Sequence, residues 1–177
     1  MSWEMMAVFI GSTIRLAAPL LLSATGELVS QRAGVLNMSL EGMMLTGAFA
    51  GALASWYTGN PLIGLLFGTL AALPVALLQA FFSITLKANQ IVTGIGINIL
   101  ALGATTLAYR EIFGSRSSEA IPGLSKWSPP VLRDIPLWGD QVFDQVWLLY
   151  LGGLIILLTA LVMHRTALGL ALHACGA

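Results

Sequence analysis

Three polar side chains interrupt long apolar stretches of this sequence: Arg15, Glu41 and Asn98. A charge in the middle of a membrane-spanning helix costs at least about 2.5–3.5 kcal/mol on insertion scales, so it must face a polar partner or water. An asparagine in such a helix bonds a neighbouring helix for about 0.6–2 kcal/mol. These residue types predict hydrogen bonding and charge stabilisation along a path for a polar solute, without covalent chemistry.

Each of the three residues also has a structural interpretation, which the sequence leaves open. Arg15 would form a buried ion pair that fixes helix register, with Glu41 as a candidate partner from a neighbouring helix, or extend to the interface. Asn98 would bond an adjacent helix, and the two glycines before it, Gly94 and Gly96, would loosen their own helix or admit a neighbour.

The chain that carries these residues has the composition of an integral membrane protein. Its mean hydropathy is +0.87, with 57% hydrophobic and 9% charged residues. A soluble domain of this length cannot bury so much apolar surface. The 8 basic and 8 acidic residues cancel, so charge gives no indication of a nucleic-acid partner. The single cysteine, Cys175, excludes an internal disulfide.

Five stretches are long and apolar enough to cross a bilayer, which takes about 20 residues. They predict an all-α integral membrane protein, a polytopic helical bundle with about five transmembrane helices. The stretches are Met5–Leu28, Met38–Tyr57, Pro61–Leu86, Ile91–Tyr109 and Val146–Met163. A β-barrel is disfavoured because these runs are continuous and do not alternate.

Two local patterns indicate how the second and third helices are built. Asn60 is expected to cap the third helix, with Pro61 at its first position. Glycines recur at four-residue spacing, as Gly47 and Gly51 and again as Gly64 and Gly68. Such spacing lets helix backbones approach closely in lipid, which favours bundle packing over a role in substrate passage.

Residues for catalysis or metal binding are not found in the usual arrangements. His164 and His173 have no further histidine or carboxylate at ligand spacing, so we expect no metal site. Lys87 and Lys126, the only lysines, lie outside any phosphate-loop motif, so we expect no ATP bound in that manner by this chain. There is no GxSxG or HExxH, and we therefore expect a chain that is not an enzyme.

Three blocks of sequence carry a family resemblance. The first block consists of residues 13–22 (TIRLAAPLLL) and the segment RAGVLNMSLEGMMLTG at Arg32–Gly47. The second block is IVTGIGINILALG at Ile91–Gly103, which contains Asn98 near its centre. The third block, RTALGLALHACG, covers Arg165–Gly176. Together they resemble the permease subunit of bacterial ABC importers (the binding-protein-dependent transport inner-membrane component), in the branch that serves simple sugars and nucleosides.

The blocks match the family forms with a few departures. Against ERAGVLNIGLEGMML, this chain has Gln31 for the acidic residue, and Met38 and Ser39 for Ile and Gly. Against T-x-x-G-x-x-L-R-A-x-G, it has His173 where Arg is usual. Five residues of that motif match, and the resemblance implies that they form the segment that couples the permease to its ATPase: Thr166, Gly169, Leu172, Ala174 and Gly176.

The resemblance implies a transmembrane permease subunit of an ATP-driven importer, which translocates nucleosides or simple sugars across the bacterial plasma (inner) membrane. ATP would bind an ATP-binding cassette subunit, so no cofactor is expected on this chain. Further implied partners are a second permease subunit and an extracytoplasmic substrate-binding protein. The resemblance also implies a cytoplasmic side for Arg165–Ala177, which with five crossings places the N-terminus and the long Arg110–Gln145 loop outside.

Family permeases have roughly twice as many helices, so residues 1–177 are expected to be the N-terminal part of a larger transmembrane permease domain. In this topology Arg32 lies at the cytoplasmic boundary, Asn37 begins the second helix, and Glu41 lies one turn further in. Glu41 is then deep enough to line a path. The alternatives are an ion-coupled secondary transporter or channel, which would need more intramembrane carboxylates or a broken-helix ion site, and a non-transporting assembly subunit.

Overall fold

The computed structural model describes residues 3–114, 120–127 and 145–176. Within them the chain forms six α-helices, which confirms the predicted all-α fold. A π-helical turn at Phe81–Thr85 follows the third helix, and strands β1 (Lys126–Trp127) and β2 (Gln145–Val146) pair antiparallel. The helices are α1 (Trp3–Arg32), α2 (Leu40–Thr58), α3 (Pro61–Ala80), α4 (Gln90–Phe113), α5 (Trp147–Arg165) and α6 (Ala167–Gly176).

Four of the five predicted spans are long and apolar enough to cross a membrane, counted over the described residues: Met5–Arg32, Pro61–Thr85, Gln90–Phe113 and Trp147–Arg165. The fifth prediction corresponds to α2, a helix of 19 residues. This helix does not meet the same criterion for a membrane span. Glu41 lies in its first turn, and its final residues, Ser55–Thr58, are polar or amphipathic. Its alanine- and glycine-rich middle is suited to packing against other helices.

The chain divides into two compact units, Met1–Ala33 with Leu124–Ala177, and Gly34–Gly123. In the first unit α1 packs against α5, where a Cβ built on Gly152 would lie 3.1 Å from Leu22 Cδ1. Helix α6 follows α5 directly and contacts α1 as well. The described part of the Arg110–Gln145 stretch includes the end of α4 and strand β1.

In the second unit α2 packs against both α3 and α4. Its contact with α3 is backbone to backbone. A Cβ on Gly64 would lie 2.6 Å from Gly51 O and 2.8 Å from Ser55 Cβ, and a Cβ on Gly68 would lie 2.8 Å from Gly47 O. These pairings confirm the prediction that the glycines serve close helix packing. Because Gly47 faces Gly68 and Gly51 faces Gly64, the two helices run antiparallel.

Helix α3 begins as the sequence predicts. Asn60 Oδ1 accepts a hydrogen bond from Leu62 N at 2.9 Å, and Pro61 occupies the first helical position, where no backbone donor is needed. At α4 the same type of cap recurs, because Asn89 Oδ1 accepts from Ile91 N at 3.0 Å. Each helix start is thus fixed by the residue immediately before it.

Helix α2 begins differently from its prediction. Residues Gly34–Ser39, here called the strap, are not helical, and Gly34 has a φ of 83°, a conformation that favours glycine. The sequence predicted that Asn37 begins the helix, but Asn37 lies in the strap. Its Oδ1 accepts from Ser39 N at 3.2 Å and from Ser39 Oγ at 2.8 Å. This Asx-type turn competes with helix and moves the first helical residue to Leu40.

Candidate functional site

Glu41 and Asn98 line one groove of the second unit, between α2 and α4. Its accessible volume is ≈ 240 Å³, and its six lining residues are Glu41, Leu45, Ile95, Asn98, Ile99 and Leu102. Four of the six are aliphatic, so the carboxylate and the amide are the polar groups of this groove. The structure therefore brings together two of the three residues that the sequence predicted to lie along a path.

Asn98 contributes its amide to the backbone that starts α2. Gly42 N donates to Asn98 Oδ1 at 2.7 Å, and Asn98 Nδ2 donates to Met38 O at 2.9 Å. Gly42 is the third residue of α2, where a helix has no internal acceptor for its N–H. A residue from another helix thus performs the function of an N-cap, since Ser39 makes no side-chain cap of its own.

The strap is held on α4 by a stripe of three residues at four-residue spacing, Gln90, Gly94 and Asn98. Leu36 N donates to Gln90 Oε1 at 2.7 Å. A Cβ on Gly94 would lie 2.8 Å from the Met38 carbonyl carbon, so only glycine admits the strap there. The sequence suggested that Gly94 admits a neighbour and missed Gln90. The signal for Gln90 was the spacing of four along one helix face.

Glu41 is the second residue of α2, and its side chain is exposed. Within the second unit, no described side chain donates a hydrogen bond to its carboxylate. A carboxylate is expensive next to hydrocarbon, so this one must meet water or a polar solute in the groove. The helix N-terminus also favours a negative charge at this position.

Arg15 lies in the first unit, on α1. It borders a pocket of ≈ 400 Å³ whose other lining residues are apolar: Ala18, Pro19, Leu22, Leu124, Val146, Leu148 and Leu149. A cationic side chain that borders an apolar pocket is consistent both with a structural role for Arg15 and with a place in the path. Its part in a path, and its pairing with Glu41, stay predictions.

The predicted coupling segment forms a helix, α6, that begins at a sharp corner after α5. Thr166 has the extended backbone of an N-cap, with φ −121° and ψ 158°. Its hydroxyl donates to Val162 O at 2.7 Å and accepts from Gly169 N at 3.4 Å. Thr166 thus caps the end of α5 and the start of α6. The T-x-x-G spacing places Thr166 at the N-cap of α6 and Gly169 at its third helical residue.

Gly169 makes the corner possible, because a Cβ there would lie 2.7 Å from Val162 O and overlap the Met163 carbonyl. Of the remaining residues of the segment, Leu172 is half-buried, whereas Ala174 and Gly176 are exposed. His173 is in contact with Arg32 at the end of α1, where Arg32 Nη1 donates to His173 Nε2. The motif therefore sets the angle between α5 and α6 and leaves one face of α6 exposed.

Replacing Thr166 with valine is expected to destabilise the start of α6 by about 1 kcal/mol, because valine has neither the donor nor the acceptor of the cap. Amide hydrogen exchange should become about fivefold faster at Leu168–Leu170. The control is Thr166→Ser, which retains the hydroxyl and should exchange at the wild-type rate. Equal rates in all three proteins would show that the cap does not hold the corner.

Over residues 3–114, 120–127 and 145–176, no group of three or more His, Cys, Asp or Glu side chains is placed to hold a metal ion. His164 and His173 are both exposed on the last two helices.

Comparison with known proteins identifies the family. A family model described as the permease component of the branched-chain amino acid transport system matches residues 9–177. A putative glucose ABC transporter permease protein of Haloferax volcanii is 36% identical over 96% of this chain and 52% of its own length. No solved structure matches the chain significantly.

Two further relatives are named for nucleosides. The guanosine ABC transporter permease protein of Bacillus subtilis is 34% identical over 98% of this chain and 57% of its own length. The nucleoside ABC transporter permease protein of Lactococcus lactis subsp. cremoris is 26% identical over 96% of this chain and 56% of its own length. The chain thus spans about half the length of the curated relatives it matches.

The match covers nearly the whole chain, and it agrees with the apolar helices of the structure, four of which are long enough to span a bilayer. Together they indicate a multi-pass protein of the plasma (inner) membrane. The chain belongs to the family of the branched-chain amino acid transport system permease component.

Proposed function

We propose that this chain acts in the permease subunit of an ATP-driven importer for nucleosides or simple sugars. The single observation that carries a transport role is the Glu41 carboxylate, exposed in a groove with aliphatic walls. A charge in that position is a liability for a purely structural helix, because burying it without a partner is costly. It is useful where hydroxyl or amino groups of a solute pass.

The proposed substrate class is supported by the relatives, two of which are named for nucleosides and one for glucose. Both solutes are uncharged and rich in hydroxyl groups, and a carboxylate accepts hydrogen bonds from such groups more strongly than a neutral acceptor does. Leu45, Ile95 and Ile99 would face the less polar parts of the solute. Arg15, Glu41 and Asn98 are proposed to belong to the polar path.

The mechanism we propose is alternating access without covalent chemistry in the permease. ATP binding to a separate ATP-binding cassette subunit would close that subunit, and α6 would transmit the movement to the helices. An importer of this type also requires a second permease subunit and an extracytoplasmic substrate-binding protein. The permease contributes differential stability of its outward-open and inward-open states. ABC permease subunits are not themselves enzymes, and we propose the same for this chain.

An ion-coupled secondary transporter is not favoured, because the curated relatives described above are all named ABC transporter permeases. The exposed Glu41 is the feature that an ion-coupled mechanism would use. The two mechanisms differ in their energy source, which makes them experimentally separable.

The test is uptake of radiolabelled nucleosides and glucose by vesicles that contain the intact permease, expressed from its native locus with its ATPase and binding protein. We expect uptake that requires ATP and is abolished by orthovanadate. The matched control carries an ATPase subunit with its phosphate-loop lysine replaced, and it should show no uptake. Uptake that is abolished by an uncoupler and is indifferent to vanadate would contradict the proposal.

A further inference from the structure

We infer that Asn98 is a positioning residue, which fixes the start of α2 and thereby sets the place of the Glu41 carboxylate in the groove. This inference rests on the proposed transport function for its uptake test but not for its structural test. Within the proposed polar path, it gives Asn98 the role of holding Glu41 in place, which differs from direct contact with the solute.

The amide of Asn98 is engaged at both of its ends by backbone groups of one short segment. Oδ1 accepts from Gly42 N at 2.7 Å and Nδ2 donates to Met38 O at 2.9 Å. The two bonds bracket Ser39–Glu41, so the chain between them is fixed relative to α4. Side-chain hydrogen bonds to backbone groups in apolar surroundings leave costly unsatisfied groups when they are lost.

The start of α2 is packed so closely against α4 that it has little freedom to adjust if the Asn98 hydrogen bonds are lost. Ser39 is 0% exposed, and a Cβ on Gly42 would lie 2.9 Å from Asn98 Oδ1 and 3.2 Å from Ala101 Cβ. The start of α2 therefore lies directly against α4 over about one helical turn. Small movements of the Asn98 side chain must be transmitted to the helix, because close-packed backbones do not absorb them.

The position of Asn98 along α4 determines where the start of α2 and the Glu41 carboxylate lie. Asn98 is eight residues after the start of α4, which is about 12 Å along a helix. At the other end Trp56 of α2 lies edge-on to Phe113 of α4, with 5.3 Å between ring centroids. Helix α2 thus runs beside the second part of α4, and Glu41 enters the groove about 12 Å from the first residue of α4.

Without the two bonds, nothing in the strap itself would start the helix at Leu40. Ser39 provides no side-chain cap, and the Asn37 turn favours a non-helical backbone. Loss of Asn98 should let the first turn of α2 unwind and carry Glu41 away from Leu45 and Ile99. The effect on transport would then operate entirely through Glu41.

The structural test is amide hydrogen exchange in detergent on wild type and Asn98→Leu. We expect exchange at Glu41–Met43 to become about tenfold faster in the variant, since Gly42 N and Met38 O both lose their side-chain partner. The matched control is Thr105→Val, about two helical turns further along α4. The Thr105 hydroxyl bonds Ala101 O of its own helix at 2.7 Å, so exchange in α2 should not change. Unchanged exchange in Asn98→Leu would overturn the inference.

The functional test is a double-mutant cycle in the vesicle uptake assay. Asn98→Leu should lower uptake severalfold in the wild-type background and have no further effect in Glu41→Leu, because that variant has no polar group left at position 41 for Asn98 to place. A loss by the same factor in both backgrounds would overturn the inference in favour of direct contact between Asn98 and the solute. If the leucine variant does not reach the membrane, Asn98→Ala replaces it, since a water molecule fits beside alanine and retains part of the bonding.

The outcomes separate this inference from the proposed function. Absence of ATP-dependent uptake by the wild-type permease would defeat the proposed function and leave the exchange result valid. Normal wild-type uptake with unchanged exchange in Asn98→Leu would defeat the inference and leave the proposed function valid.

Discussion

Replacement of Glu41 with leucine is expected to lower substrate uptake by at least about tenfold, because a hydrogen bond to a charged group contributes about 1.5–3 kcal/mol. The same replacement should maintain or raise the thermal stability of the permease. It removes a charge from a groove whose other lining residues, apart from Asn98, are aliphatic. Loss of activity with a gain of stability is the pattern of a residue that serves function.

The measurement is the initial rate of vesicle uptake beside the melting temperature in detergent. Glu41→Gln retains an acceptor without the charge and should fall between wild type and Glu41→Leu. Glu111→Gln is the matched control, because Glu111 lies exposed near the end of α4 and away from the groove. Wild-type uptake by Glu41→Leu would show that the carboxylate is not part of the path. A large fall in melting temperature would instead assign Glu41 a structural ion pair.

Replacement of Gly64 with leucine is expected to have the largest effect on stability. A side chain there meets backbone atoms, Gly51 O at 2.6 Å and Ser55 N at 3.3 Å, together with Ser55 Cβ at 2.8 Å. Backbone cannot move aside without separating α2 from α3. Overpacking of this kind costs about 1–3 kcal/mol and more where the neighbours are rigid, so we expect a melting temperature roughly 5–10 °C lower.

The control for this substitution is Gly96→Leu, on α4. A Cβ on Gly96 meets no described atom within 4 Å, so the change should leave the melting temperature within about 2 °C of wild type. Both variants add the same apolar side chain to a helix, and both gain the same helix propensity over glycine. Equal melting temperatures for the two variants would contradict the backbone contact between α2 and α3.

The sequence was sufficient for features that depend on local rules. The apolar spans follow from bilayer thickness, the start of α3 from the Asn60–Pro61 pair, and the α2–α3 contact from the glycine spacing. In each case the residues that determine the structure are adjacent or lie at fixed intervals along one helix. That is why periodicity and capping rules find them.

The start of α2 was not accessible to the same rules. Met38 begins an apolar stretch and a helix was predicted from it, but the Asn37 turn delays the helix to Leu40. The cap that finally starts the helix comes from Asn98, 56 residues away along the chain. A single sequence does not reveal which polar group of one helix satisfies the backbone of another, because that depends on how the helices pack.

In the candidate site, too, some features were predictable from the sequence and others depend on how the helices pack. Glu41 and Asn98 were identified from their chemistry, as polar groups in apolar segments, and they line one groove. The sequence did not show that their roles differ, since both residues are simply polar groups in apolar segments. Geometry separates them, because the Asn98 amide is bonded to backbone at both ends whereas the Glu41 side chain is exposed.

The most direct test of the central claim is the accessibility of position 41 to a small hydrophilic thiol reagent. The native cysteine, Cys175, is the only one in this sequence, so Glu41→Cys is made with Cys175→Ser. The control is Leu100→Cys, at the depth of the groove but outside its lining and 65% exposed. We predict rapid labelling at position 41 that slows when substrate or ATP with vanadate is present, and slow labelling at position 100. Labelling at position 41 that is as slow as at position 100 and indifferent to substrate would contradict the account.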